Sequence, residues 1–153
     1  MARNKDQEHE LTERIDTIEE AYEFMLAYAA QGRQGDEESG KGGNIRTFLE
    51  RANAALEGLA ALSIAVFQGL DTISVDGYRK FLEVFDQDAQ KAQAAIRMVL
   101  SLPSISSQLT DNLNSSIHLR TLLTDLFLID ETLKTNYDLI KSHRTATLGR
   151  KLK

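Results

Sequence analysis

The chain has 153 residues, of which 18 are Lys or Arg, 23 are Asp or Glu and 3 are His, with no cysteine and one proline. Its 42% hydrophobic and 27% charged residues are ordinary for a globular domain, so wholesale disorder is excluded. The absence of cysteine excludes disulfides, thiolate zinc sites and a cysteine nucleophile. The formal net charge of -5 argues against a generic nucleic-acid binder, because that class is usually basic. We predict a single domain over residues 1–153 that is long enough to bury a core.

Targeting and membrane signals are not visible in the sequence. Residues 1–10 are charged and lack the apolar centre of a secretory signal, so we expect no signal peptide. The longest apolar stretch, residues 59–67, is interrupted by Ser63. It is far shorter than the roughly 18 residues that a membrane span needs. We therefore expect no membrane span and a cytoplasmic location.

The first part of the chain has apolar residues at alternating steps of four and three, which is the spacing of one helix face. These residues are Leu11, Ile15, Ile18, Tyr22, Met25 and Ala29. The spacing predicts a helix from about residue 6 to residue 31. Five of the next twelve residues, 32–43, are glycine, so we predict a flexible connection there. Its length is unusual for a loop between two helices, and its role stays open.

Two further helices follow, each with a recognisable start and end. The second is predicted from Asn44, a good N-cap, to Gly69, a good C-terminal stop. The apolar residues of the second helix are Ile45, Phe48, Ala52, Leu56, Leu59, Leu62 and Val66. The third is predicted from the N-cap Asp76 to about residue 102, where Pro103 ends it. The third helix has the most regular heptad pattern in the chain: Tyr78, Leu82, Phe85, Ala89, Ala92, Ile96 and Val99.

The fourth helix is predicted to begin after Ser104 as its cap. Its apolar stripe consists of Leu119, Leu122, Leu126, Ile129, Leu133, Tyr137 and Ile140. Residues 108–116 are rich in Asp, Asn and Ser, which are weak helix formers. We expect a kink, a frayed turn or a break there, and whether this segment has a function stays open. Residues 142–153 are predicted to form a basic, disordered tail.

Four amphipathic helices joined by short links predict an all-α fold and an antiparallel, up-and-down four-helix bundle. The alternative is a shorter bundle that is extended by dimerisation, because wide apolar faces on three helices suit an interface as well as a core. Both arrangements stay open from the sequence.

The string from Gly35 to Gly42 satisfies the phosphate-loop pattern G-x-x-x-x-G-K, with Lys41 as the lysine. Gly42 stands where the magnesium-binding Ser or Thr would be, and the preceding segment is helical where the fold requires a strand. The string also contains three acidic residues, which would repel phosphate. We therefore interpret this segment as a solvated connection rather than a nucleotide site.

Histidines and carboxylates offer little for a metal site. A carboxylate-bridged site in a bundle needs Glu-x-x-His sequences, and the chain has none. His9 lies within one turn of Asp6 and Glu13, which favours an exposed acidic face rather than a ligand cage. His118 lacks the small, lysine-rich setting that follows the phosphoacceptor histidine of phosphotransfer bundles. We predict no metal and no cofactor.

Catalytic machinery is also not visible. The chain has no G-x-S-x-G motif and few histidines that could act as a base. Asp125, Asp130, Glu131 and Asp138 lie on or beside the fourth helix stripe, and Lys134 is spaced to pair with Asp130 or Glu131 on the surface. We predict no catalytic residue and no enzymatic activity.

Charge is distributed unevenly along the chain. Residues 1–31 carry eight acids and three bases, whereas residues 103–153 carry seven bases and five acids. The candidate partner or anion contacts are the basic residues at the end of the chain, Lys141, Arg144, Arg150, Lys151 and Lys153. Three interpretations stay open: a solvated terminus, a tail that binds an acidic surface, and pairing with the acidic first helix.

These observations predict a small cytoplasmic helical module for protein–protein interaction, such as an adaptor, an accessory subunit or a regulator. It would self-associate and present an amphipathic helix face or groove to a helical partner. A ligand- or cofactor-binding bundle and a binder of nucleic acid or anionic surfaces through the basic tail are the alternatives. Nucleic acid is the less expected partner, because the basic residues lack interleaved aromatic residues.

Overall fold

The computed structural model describes residues 4–37 and 44–151, with the backbone alone for residues 140–144, 147 and 151. All regular secondary structure in these residues is helical, which confirms the all-α fold class. The helices are α1 (Lys5–Ala29), α2 (Ile45–Leu56), α3 (Leu59–Gln68), α4 (Val75–Leu100), α5 (Ser107–Ser115) and α6 (Ile117–Lys151). In the part of the chain that the structure describes, none of them is long and apolar enough to cross a membrane.

The helix starts follow local capping chemistry. The predicted cap Asn44 is confirmed, because its side chain accepts a hydrogen bond from the third backbone N–H of α2. The predicted caps Asp76 and Ser104 are each wrong by two residues. Ser74 caps α4 and Ser106 caps α5, each accepting from a backbone N–H three residues later. In both cases a serine hydroxyl supplies the acceptor. Helix α4 therefore begins two residues earlier than expected, and α5 begins two residues later.

The predicted single helix over residues 44–69 is wrong, because it is interrupted at Glu57 and Gly58. Gly58 has φ +67, in the left-handed region that glycine adopts most easily, and Glu57 is extended. Neighbouring helices bind the break. Arg14 of α1 donates to the Glu57 carbonyl at 2.5 Å, and Gln93 of α4 donates to its carboxylate at 2.9 Å. The interruption is therefore supported by tertiary contacts that the apolar spacing does not reveal.

The predicted weakness before the second half of the fourth helix is confirmed. Ser116 is extended between α5 and α6, and its hydroxyl accepts a hydrogen bond from the Leu119 N–H at 3.3 Å. The backbone of α6 then continues as helix to Lys151. The predicted disorder of residues 142–153 stays a prediction, since terminal helix turns can fray in solution.

The core lies between α1, α4 and the helices that pack on both of them. α1 packs against α2, α3 and α5, while α4 packs against α2, α3 and α6, and α5 also packs against α6. Stacked rings of Phe24 and Phe48, 4.1 Å apart, join α1 to α2. The largest fully buried side chains are Phe85, Leu11, Ile15, Met25, Ile45, Leu49, Leu59, Leu82, Ile96, Ile105, Leu122 and Leu126.

The first half of the glycine-rich segment is packed against the link between α4 and α5. Arg33 and Ser107 exchange hydrogen bonds at 2.8 Å and 2.9 Å. Asp36 is buried and accepts from the Ile105 N–H at 2.8 Å and from Arg46 at 3.1 Å. Residues 38–43, which include Lys41 and the remaining glycines of the predicted connection, lie outside the described residues.

Candidate interaction surface and cavities on α6

Helix α6 carries uncharged side chains on two different faces. Its inward face contributes the buried residues Leu119, Leu122, Leu126, Ile129 and Leu133. A second set, which we call the outer stripe, recurs at helical spacing and consists of Ile117, Thr121, Thr124, Leu128, Thr132, Thr135 and Leu139. Its apolar members are well exposed, at 71% for Ile117, 53% for Leu128 and 45% for Leu139. The outer stripe extends for about 33 Å along the helix.

Two opposite charges flank one edge of the outer stripe. Arg120 and Glu131 are both exposed. They are separated by eleven residues, which is about three helical turns or 16 Å, so they lie near the same edge of the stripe. The surface between them is uncharged along the stripe. The arrangement offers an uncharged strip with Arg120 near its start and Glu131 past its middle, and the exposed Asp138 lies two turns further along the same edge.

The link between α3 and α4 forms a cavity of about 320 Å³ with the second half of α6. Its lining residues are Thr72, Ile73, Leu128, Glu131, Thr132, Thr135, Asn136 and Leu139. Three of these side chains are apolar, three carry hydroxyl groups, and Glu131 is the one charged residue of this lining. The cavity therefore combines apolar walls with several hydrogen-bonding groups, which is the usual composition of a ligand or partner pocket.

Asn136 is the most unusual polar residue of this cavity. Its side chain is 2% exposed, its Oδ1 is contacted by the hydroxyl of Thr72, and its Nδ2 has no hydrogen-bond partner. A buried amide N–H without a partner costs about 1–3 kcal/mol. Buried side-chain amides are nearly always hydrogen-bonded, so the free end of Asn136 calls for an explanation.

A second cavity of about 240 Å³ continues from the first. The two share Ile73, Leu128 and Thr132, and the second is further lined by Phe67, Gly77, Tyr78, Phe81 and Ile129. Its walls are therefore mainly aromatic and aliphatic. Together the cavities form one groove between the α3–α4 link, the start of α4 and the outer stripe.

A pair of carboxyl groups lies between α4 and α6. Asp125 on α6 is 7% exposed, and its Oδ2 has no hydrogen-bond partner. Burial raises the pKa of Asp125 to about 7, and the neighbouring Asp88 side chain adds to this through a hydrogen bond and its negative charge. Within the described residues, no group of three or more His, Cys, Asp and Glu residues could hold a metal ion.

A third, polar cavity of about 420 Å³ lies at the break between α2 and α3. The Glu57 carboxylate accepts from Gln93 at 2.9 Å and from Arg97 at 3.1 Å, and Arg97 also donates to Asn53 at 3.1 Å. Because these polar groups bind one another, they connect α2 to α4 and leave little for a ligand. We assign this cavity a structural role.

Among the basic candidate residues at the end of the chain, the structure describes the side chain of Arg150 alone. Arg150 is exposed, whereas the side chains of Lys141, Arg144 and Lys151 and all of Lys153 lie outside the described residues. Their role as partner or anion contacts stays a prediction.

The other residues that the sequence singled out have local roles. His9 pairs with Glu13 at 3.1 Å on the exposed side of α1, and His118 is exposed on α6. Lys134 pairs with Asp130 at 3.0 Å, as their spacing predicts. Asp36, inside the phosphate-loop string, is occupied by its contacts with Arg46 and Ile105.

Comparison with known proteins gives no further indication of function. No family model matches the chain, and neither the curated proteins nor the solved structures include a match.

Proposed function

We propose that this protein is a self-associating protein–protein interaction module, in which the outer stripe of α6 packs antiparallel against the same stripe of a second copy. The observation that carries the proposal is the uncharged outer stripe, with Ile117, Leu128 and Leu139 exposed along about 33 Å of one helix face. An uncharged helix face on which exposed apolar side chains recur is typical of interaction sites.

The flanking charges favour a second copy as the occupant. In an antiparallel pair related by a two-fold axis, a residue near one end of the stripe faces a residue near the other end of its partner. If the axis passes between Asp125 and Leu126, Arg120 of each copy faces Glu131 of the other. Arg120 and Glu131 are therefore complementary across the axis, and Leu128 packs against Thr121 and Thr124 of the second copy. In this register residues 117–134 of the two α6 helices overlap, and Thr135 and Leu139 lie beyond the start of the partner's α6.

The proposal includes the arrangement of the helices as an up-and-down four-helix bundle. The four units would be α1, α2 with α3, α4, and α5 with α6. Packing of neighbours supports this: α1 packs on α2, α3 and α5, and α4 packs on α2, α3 and α6. The cytoplasmic location, which rests on the sequence alone, is also part of the proposal.

A charge-swap experiment tests the association and its register. Glu131→Arg places two arginines opposite each other, and Arg120→Glu places two glutamates opposite each other. We expect each single substitution to weaken self-association at least about tenfold. The double substitution should restore it, because the opposite charges are then exchanged. Sedimentation velocity over a series of protein concentrations measures the dissociation constants.

Leu128 provides a second test with a closely matched control. Leu128→Asp places a charge in the middle of the paired stripes and should abolish association. The control is Val84→Asp on α4, because Val84 is 52% exposed and Leu128 is 53% exposed. A wild-type chain that stays monomeric at all concentrations would overturn the proposal. Equal association of the single and double charge variants would contradict the antiparallel register.

A further inference from the structure

The geometry points to a binding site for a small neutral molecule with an apolar chain and a single carbonyl head, in the groove between the α3–α4 link and α6. The head would accept a hydrogen bond from Asn136, and the chain would lie against the shared walls Ile73 and Leu128. This inference does not rest on self-association.

Asn136 identifies the hydrogen-bonding character of the head. The residue lines the cavity, is 2% exposed and has an unpartnered Nδ2, while its Oδ1 is contacted by the Thr72 hydroxyl. An amide nitrogen can only donate, so the missing partner must be an acceptor. A protonated amine has no lone pair and cannot fill this role.

Glu131 distinguishes between the possible acceptors. A carboxylate would accept from Asn136, but Glu131 is the charged residue in the lining of the same cavity and would repel it. A neutral carbonyl of an amide, ester or ketone accepts without that repulsion. The hydroxyl groups of Thr132 and Thr135 also line this cavity and can donate to the same oxygen.

The neighbouring cavity indicates where an apolar chain would continue. Phe67, Tyr78 and Phe81 line it, and it is continuous with the first cavity through Ile73 and Leu128. The lining of this second cavity includes no charged residue. A short amphiphile therefore fits it better than a strongly polar metabolite.

The experiment compares three probes of similar size: N-hexylacetamide, octanoate and octylammonium. Each is titrated into the full chain, and the side-chain NH₂ signals of Asn136 are followed by ¹⁵N–¹H correlation spectra. For a ligand of about ten non-hydrogen atoms we expect a dissociation constant on the order of 1 mM. N-hexylacetamide should bind at least about tenfold more tightly than octanoate or octylammonium and should shift the Asn136 signals.

Two substitutions provide the controls. Asn136→Leu keeps the size of the side chain but removes the donor, and should weaken N-hexylacetamide binding at least about tenfold. Asn112→Leu, at an exposed position on α5, should leave binding unchanged. Because the comparison of the three probes uses the wild-type chain, it decides the matter even if the Asn136 variant does not fold.

The results also separate this inference from the proposed function. Leu128 and Thr132 belong to both the groove and the outer stripe, so probe binding and self-association compete in the wild-type chain. Arg120 is not among the lining residues, so Arg120→Glu should lose self-association and bind N-hexylacetamide at least as tightly as the wild-type chain does. The inference is overturned if no probe binds, in which case water alone occupies the groove. Equal binding of amide and carboxylate, or unchanged binding by Asn136→Leu, would overturn it as well.

Discussion

The carboxyl group of Asp125 on α6 lies against that of Asp88 on α4, and one oxygen of Asp125 is buried without a hydrogen-bond partner. Two carboxylates in such a position cannot both be ionised without repulsion. Burial and the neighbouring acid therefore raise the pKa of Asp125 to about 7. The contact between α4 and α6 is consequently sensitive to protonation near neutral pH.

We predict that Asp125 makes the protein less stable as the pH rises from about 4 to 7. In this interval the folded chain retains the proton of Asp125, whereas the unfolded chain releases it near pH 4. The folded state therefore binds more protons, and the free energy of unfolding falls with rising pH. Asp125→Asn should flatten this dependence and stabilise the protein by roughly 2 kcal/mol at pH 8. Urea unfolding between pH 4 and pH 8 measures both effects.

Two further variants separate the effect of the buried Asp125–Asp88 pair on stability from general effects of charge. Asp88→Asn removes the neighbouring acid and should give a smaller effect of the same sign, because burial of Asp125 remains. Asp111→Asn, at an exposed position on α5, should leave the slope unchanged. If Asp125→Asn retains the wild-type pH dependence, the protonation of this pair does not determine it.

We predict that Asp36 makes the protein more stable as the pH rises, which is the opposite of the effect of Asp125. Burial alone would raise its pKa, but hydrogen bonds from the Ile105 N–H and from Arg46 outweigh burial, and the pKa is lowered. The stability that Asp36 contributes is therefore fully present above the pKa that Asp36 has in the unfolded chain. It is lost as the pH falls through the lower pKa that Asp36 has in the folded chain. Asp36→Ala would leave the buried Ile105 N–H without its partner and should destabilise the protein by about 2 kcal/mol at pH 7. Thermal unfolding at pH 7 and pH 3 would show a smaller loss in acid.

The stabilisation by Arg46 should depend on the planar shape of its guanidinium as well as on its charge. Its guanidinium binds Asp36 and also donates to the carbonyls of Leu100 and Leu102, each at 2.9 Å. A lysine cannot reach three acceptors in one plane, so Arg46→Lys should destabilise by about 1 kcal/mol. Arg79→Lys, at an exposed position on α4, is the matched control. Equal stability of the two variants in urea unfolding would contradict the role of Arg46.

The sequence predicts the helices well where one apolar face dominates. The regular stripe from Tyr78 to Val99 gives α4 within a few residues, and Asn44 and Gly69 mark the outer ends of α2 and α3. The interruption at Gly58 could not be predicted from the stripe, because a lone glycine is tolerated in many helices. Arg14 and the α4 side chains that bind the break come from distant parts of the chain.

The candidate surface could be predicted only in part. The spacing of the leucines predicts the inward face of α6, but threonine is not an apolar residue and does not mark the outer stripe in the sequence. The outer stripe is recognisable only once the exposure of Thr124, Leu128 and Thr135 is known. The pairing of Asp125 with Asp88 and the contact of Asn136 with Thr72 likewise require the packing of separate helices.

Gly58 is predicted to be sensitive to substitution because of its backbone conformation. Its φ of +67 is unfavourable for residues with a Cβ atom, although no neighbouring atom lies within 4 Å of the position that a Cβ would take. Gly58→Ala should therefore destabilise by about 1 kcal/mol through backbone strain alone. Gly149→Ala, inside α6 with equally open space, should be neutral or slightly stabilising. Urea unfolding of both variants makes the comparison, and equal stability would contradict the strained backbone.

Deletion of residues 141–153 separates the outer stripe from the basic end of the chain. The stripe ends at Leu139, and the described side chains beyond it, such as Leu148 and Arg150, are exposed. The shortened chain should therefore self-associate as the full chain does, and its unfolding free energy should change by less than about 0.5 kcal/mol.

Sedimentation velocity and urea unfolding test these expectations directly. A third measurement is the binding of both chains to a single-stranded oligonucleotide and to anionic vesicles at two salt concentrations. If the basic tail is a solvated terminus, neither chain binds. Salt-sensitive binding by the full chain alone would instead favour contact with a polyanion. Loss of self-association on deletion would contradict a pairing centred on Asp125 and Leu126, because residues 141–153 lie beyond the paired stripes.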